Sequence, residues 1–313
     1  MKRLVFLFKG TVVFILSLSC FNQGSGQDKF KTSAKPSLLW EIKGDKLSKP
    51  SYLFGTIHFY DTSSFKIPET VYRALELCDG FAPEVDLNAL NPLEIQQRTV
   101  VASPDSTLDK LVAPEIYGEI MNIPIVKMMG NMVKNMKPFF IQPLLMIENP
   151  FSVQSVDIDL NKYASERGKQ VFALETLAEQ FDVVDKISLR EQARSLADIY
   201  DYCKRENMGF HEAGRKIFSA LSDAYKSQDF DMIRRMDKEF KMTSSSPLFD
   251  SVFLEIRNIN MSDRISAFID SDKTLFAAVG MAHLEDLGKA KGIVTLLKEK
   301  GYALRPILIE MKK

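Results

Sequence analysis

Two short segments near opposite ends of the chain have the same form. Residues 51–58 read Ser-Tyr-Leu-Phe-Gly-Thr-Ile-His, and residues 275–283 read Leu-Phe-Ala-Ala-Val-Gly-Met-Ala-His. Each is an apolar run closed by Gly-x-x-His, and two of the three histidines of the chain sit in this setting, more than two hundred residues apart. An apolar run that ends in a glycine turn predicts a buried strand reaching its terminus. Each imidazole then emerges at the mouth of a sheet, and neutral imidazole is both a common metal ligand and the usual proton-transfer group near neutral pH.

The elements around these segments alternate. Residues 38–42 and 52–55 predict a hairpin, 68–77 a helix opened by Pro68, and 80–86 a short strand ending in Glu84 and Asp86. Residues 91–148 are helical and broken by prolines, with Met128, Met132 and Met136 four apart. That spacing fits a core stripe or an adaptable wall over a cleft. Residues 155–168 predict a helix, and a strand over 169–174 ends in Glu175. Residues 187–243 form a long charged helical stretch, 248–269 an amphipathic helix carrying Arg257 and Asn258, and 274–279, 292–300 and 303–309 a last strand–helix–strand unit. The fold class is α/β, a central mixed sheet flanked by helices with a large helical insertion.

His58, Glu84, Glu175 and His283 each follow a predicted strand. In open α/β sheets the ligand crevice lies beyond the carboxyl ends of the strands, where distant residues converge. Two histidines and a carboxylate are a standard ligand set for a catalytic divalent metal, and a second carboxylate can take a proton from the bound water. The same groups can also activate water without a metal. Each residue has a plainer role as well. A buried histidine often only satisfies a hydrogen bond, Glu175 can cap the next helix, and Arg257 can be an ordinary surface arginine or an oxyanion clamp. Asp61 and Asp86 flank the site, where each can orient a histidine or simply end its element, and His211 is expected to face solvent.

Composition bounds the rest. Lysine plus arginine, 41, equals aspartate plus glutamate, 41, so no overall field draws the chain to nucleic acid. Residues 1–20 combine early positive charge with a short apolar core, the form of a secretory signal, and 21–37 read as a flexible tether. Cys20 stands where a bacterial lipoprotein signal carries its lipidated cysteine, although Ser17 replaces the usual leucine; the alternative is a soluble exported protein. Cys78 and Cys203 are expected to be buried free thiols. The catalytic domain is expected over 38–313, in a protein exported to the cell envelope.

These motifs together resemble the TraB/PrgY/GumN family, which includes the Tiki metalloproteases. The resemblance rests on Leu39-Trp40-Glu41-Ile42, the first Gly-x-x-His, Glu84-Val85-Asp86, Leu174-Glu175-Thr176 with Glu179-Gln180, Arg257-Asn258, and the second Gly-x-x-His followed by Leu284. It implies a fold like the erythromycin-esterase and ChaN-like group and a divalent-metal hydrolase, in the Tiki branch a peptidase using manganese or cobalt, with zinc as a further option. On that resemblance His58, Glu84 and His283 carry the metal, Glu84, Glu175 and Arg257 the catalytic roles, and the substrate is a peptide or protein. The alternatives are a metal-independent esterase-like hydrolase, or an envelope lipoprotein that binds haem or a peptide without turnover. Glu285-Asp286 depart from the family's usual glycine after the final His-Leu, which bears on loop shape.

Overall fold

The computed structural model describes residues 35–44, 49–61, 65–147, 153–232, 235, 251–271, 273–286 and 289–311. The expected signal, Cys20, nearly all of the tether and the Ser244–Pro247 break lie outside them. No described helix is long and apolar enough to cross a membrane.

Among the described residues eight strands occur in the order β1 (Leu39–Lys43), β2 (Ser51–Thr56), β3 (Tyr60–Asp61), β4 (Gly80–Pro83), β5 (Val153–Gln154), β6 (Gln170–Val171), β7 (Leu275–Gly280) and β8 (Ala303–Ile307). Six of them build one sheet in the order β6-β4-β7-β2-β1-β8. Strands β6, β4, β7 and β2 run parallel, while β1 pairs antiparallel with both β2 and β8. The sheet is therefore mixed, as the hairpin and crossover spacings predict. Every residue of β2, β4 and β7 is buried. Strands covered on both faces read as continuous apolar runs, which is why these were legible without alternation.

The longer helices are α1 (Glu69–Glu76), α2 (Pro92–Thr99), α3 (Pro114–Asn122), α4 (Val156–Glu166), α5 (Leu177–Asp185), α6 (Leu189–Arg205), α7 (Phe210–Ser227), α8 (Ile256–Ile269) and α9 (Ile293–Glu299). The buried apolar residues separate into two clusters. One surrounds the sheet through Phe54, Phe81, Leu160, Ile265, Phe276 and Leu297. The other lies among the inserted helices through Ile120, Phe140, Leu144, Phe181, Leu196 and Phe210. The insertion thus carries a core of its own. Helices α5 and α6 begin with capping boxes, Thr176 with Glu179 and Ser188 with Glu191, which satisfy backbone donors at both starts.

Two details differ from the sequence reading. The strands expected over 80–86 and 169–174 are shorter, Gly80–Pro83 and Gln170–Val171. The methionine spacing does not mark one helix face: helix Pro124–Met129 stops at Gly130, whose φ of 60° needs glycine, and a 3-10 turn Gly130–Asn135 follows. Met128 and Met132 are exposed while Met136 is buried.

Candidate functional site

The two Gly-x-x-His motifs lie side by side because β2 and β7 are parallel neighbours, with Gly55 opposite Val279 and Thr56 opposite Gly280. His58 and His283 are both buried at this end of the sheet. Gly55 is required by close approach rather than by φ: a Cβ there would lie 2.6 Å from Leu284 Cδ1 and 3.2 Å from Met281 Cα, in the turn that carries His283. Gly280 serves differently, its N–H donating to Glu84 Oε1 at 2.6 Å. One glycine admits the opposite turn; the other seats a carboxylate.

Each imidazole is held through Nδ1. His58 Nδ1 lies 2.6 Å from Asp157 Oδ2, and the same carboxylate accepts from Thr56 Oγ1 at 2.7 Å and Ser155 Oγ at 3.3 Å. Burial opposes a charge on His58, but the adjoining Asp157 carboxylate outweighs it and raises the imidazole pKa above its ordinary 6.5. Burial pushes Asp157 the other way, yet His58 and the two hydroxyl donors hold its carboxyl below the usual 3.8. Asp157 stands in the first turn of α4, where the helix end also favours negative charge. His283 Nδ1 lies 2.6 Å from Asn258 Oδ1, and Asn258 Nδ2 donates to the Lys291 carbonyl at 2.8 Å. That carbonyl can only accept, so it fixes the amide orientation and makes His283 Nδ1 the protonated nitrogen. In the neutral form of both rings, the lone pair is on Nε2. His283 Nε2 is 3.7 Å from Glu84 Oε1.

Beside the rings is a buried ionic cluster. Glu84 follows β4, and Glu175 ends the stretch after β6 that stays bonded to it, with Glu175 N–H donating to the Glu84 carbonyl at 2.6 Å. The two glutamates therefore project from adjacent parallel chains. Arg257, 1% exposed in the first turn of α8, joins them. Its Nε donates to Glu175 Oε1 at 2.9 Å, and its Nη2 donates to Glu175 Oε2 at 2.5 Å and Glu84 Oε2 at 2.8 Å. Gln180 Nε2 donates to both carboxylates, at 3.3 Å to Glu84 and 3.2 Å to Glu175. Burial raises the Glu84 pKa above 4.5 despite Arg257 and His58. The guanidinium is itself held charged, because Glu175 and Glu84 outweigh the burial that opposes it.

The structure thus brings His58, Glu84, Glu175, Arg257 and His283 together. Glu175 is not a cap, since Thr176 fills that position, and Arg257 is not a surface residue. Two orienting groups escaped the sequence. Asp157 sits in a helix start with nothing local to mark it, and the role of Asn258 shows only beside His283. Asp86 lies in the loop after β4, its Oδ1 accepting from Asn88 N–H at 2.9 Å, and the side chain of Asp61 lies outside the described ones. His211, expected to face solvent, is half-buried, with Nδ1 sealed away from water. The Glu285-Asp286 departure closes a loop: Asp286 Oδ1 accepts from Gly292 N–H at 2.9 Å, ahead of α9.

In kind, the donors suit a divalent cation: two Nε2 atoms and a carboxylate, with both Nδ1 atoms tied as in metal-bound imidazoles. As the side chains stand, Glu84 faces Gly280 and Arg257, and among the described residues no group of three or more His, Cys, Asp or Glu is placed to hold an ion. No match was found among curated proteins or solved structures. The TraB/PrgY/gumN family model matches residues 38–306, from the first strand through most of the last, and so takes in every residue of the cluster. The chain belongs to the TraB/PrgY/gumN family.

Proposed function

We propose that the chain is a hydrolase acting on peptides, in which His58, His283 and Glu84 activate a water molecule and supply the donors for a divalent metal, manganese or cobalt before zinc. The observation that carries the reading is the pairing of two Nδ1-tethered imidazoles with a buried glutamate already contacting one of them. When bound, such a metal lowers the pKa of its water from about 16 to about 7. Asp157 and Asn258 fix ring orientation. Glu84, whose proton affinity burial raises, accepts the proton from water, and Arg257 balances the negative charge that Glu84 and Glu175 place in a buried site. In the same reading residues 1–20 export the protein to the cell envelope, and a lipid on Cys20 anchors it to a membrane.

A metal-free version is favoured by the 3.7 Å contact between His283 Nε2 and Glu84 Oε1, which forms an acid–base pair without a cation. One experiment separates the two. Protein purified without chelator is assayed for metal content and for cleavage of a peptide library, before and after chelation and after return of manganese or cobalt. The expected result is cleavage that chelation abolishes and metal restores, and that falls at least about 100-fold in His58→Ala and His283→Ala. Cleavage indifferent to chelators selects the metal-free version. Absence of cleavage, or cleavage unaffected by both variants, overturns the hydrolase reading.

A further inference from the structure

A cleft of about 410 Å³ opens between the second half of α8 and the chain that continues β6. Phe172, Leu174, Ala267 and Phe268 line it, together with the cations Arg264 and Lys273. Phe172 and Phe268 meet edge to face at 4.4 Å. Their approach depends on Gly80, where a Cβ would lie 2.8 Å from the Phe172 ring.

The strand wall is the edge of the sheet. Beyond β6 the chain keeps bonding to β4, Phe172 N–H to the Phe81 carbonyl at 2.9 Å and Leu174 N–H to the Pro83 carbonyl at 2.8 Å. Since peptide groups alternate along a strand, Ala173 between them directs its N–H and C=O away from β4. Ala173 is exposed, and among the described residues its backbone has no hydrogen-bond partner. An edge of this kind is a template for another strand, and a helix beside it completes a groove for alternate side chains.

We propose that this cleft is the docking groove for an extended peptide, which joins the sheet as a strand along Ala173 and sets a side chain against Phe172 and Phe268. Two features select that occupant. The groove wall runs directly through Leu174 into Glu175, so a peptide laid along it is guided toward the catalytic carboxylates. Arg264 is paired with Glu179, so it is the exposed Lys273 that gives the groove its positive charge, which suits peptides with an acidic side chain or a free carboxylate end. The proposal rests on the hydrolase reading for the fate of the peptide, and its test separates binding from turnover.

The probe is a randomised nonapeptide library and a counterpart N-methylated at alternate residues. Retention by the full chain is read by ultrafiltration and mass spectrometry, on wild type and on His283→Ala. The expected result is retention of the plain library by both proteins and about tenfold weaker retention of the methylated one, the value of one or two main-chain hydrogen bonds. Ala173→Pro removes the outward N–H without touching the ladder. It is expected to weaken retention about tenfold with little change in thermal midpoint, and Lys273→Glu to shift the retained peptides away from acidic ones. Equal retention of both libraries, or of the plain library by Ala173→Pro, overturns the groove. So does a dimer of the chain that Ala173→Pro dissociates, because the edge is then taken by a second copy. Retention without cleavage defeats the hydrolase reading and leaves the groove standing.

Discussion

Replacing Arg257 by leucine tests how the buried cluster is balanced. Arg257 is 1% exposed, and its guanidinium bonds both Glu84 and Glu175, whose side chains are each 3% exposed. In Arg257→Leu at pH 7 two carboxylates stay buried beside each other without their cation. Breaking a buried pair in this way costs about 3–5 kcal/mol. At the roughly 2 °C per kcal/mol of a large domain, the melting midpoint falls by about 6–10 °C. The loss must depend on pH. The Glu84 carboxyl already has a folded pKa above its unfolded value, so its contribution to stability is present below about 4.5 and is lost as pH rises through the folded pKa. Removing Arg257 raises that pKa further, so the variant regains stability on acidification, and at pH 4 its deficit against wild type shrinks to about 1 kcal/mol of lost packing. Urea unfolding of both proteins at pH 4 and 7 reads this directly. Arg257→Leu combined with Glu175→Leu should recover part of the pH 7 loss. A deficit equal at the two pH values, or below about 1 kcal/mol at pH 7, refutes the reasoning.

The Asp157–His58 contact gives a second pH signature in metal-free protein. Asp157 is held low, so its stabilisation is present above about 3.8 and is lost as pH falls through the folded pKa; His58 is held high, so its share is full below about 6.5 and is lost as pH rises through its own. Asp157→Asn should flatten both limbs of the urea-unfolding profile. Gly214→Ala should destabilise by about 1–3 kcal/mol or more, because its Cβ collides with the backbone oxygen of Leu145, whereas Gly118→Ala in α3, with nothing within 4 Å, should stabilise by about 0.5–1 kcal/mol; thermal melts of the pair check this. Cys78 and Cys203 are buried free thiols whose pKa values burial raises to about 12 and about 11. Alkylation by iodoacetamide at pH 8 should therefore be slow until the protein is unfolded, and a reductant should leave the melting midpoint unchanged.

Much of the sheet could be read from the sequence because its strands are covered on both faces. A run such as Leu-Phe-Ala-Ala-Val-Gly has few alternatives once a glycine turn and a histidine close it. The repeated motif put both imidazoles at strand ends, while the direct pairing of β2 with β7 is visible only in the sheet order. Asp157 and Asn258 were illegible as supports for a different reason. A helix-start aspartate and a mid-helix asparagine are ordinary locally, and only the docking of α4 and α8 on the strand ends gives them an imidazole to hold. Gln180 is similar: its two partners lie 96 and 5 residues away, and the nearer one alone suggests only local bonding. The methionine spacing misled because a glycine with positive φ interrupts the helix it implied. Arg257 went under-read because solvent is the default place for an arginine, and only two converging carboxylates overturn that default.

The placement of β7 between β4 and β2 has one more outcome. The middle of the sheet is supplied by residues 275–280, and Leu275 N–H reaches back 224 positions to the Ser51 hydroxyl. Before residues 275–283 are made, Glu84 lacks the Gly280 amide that seats it, and of the two imidazoles of the cluster only His58 is present. A chain cut before β7 therefore lacks the assembled cluster as well as the middle of its sheet.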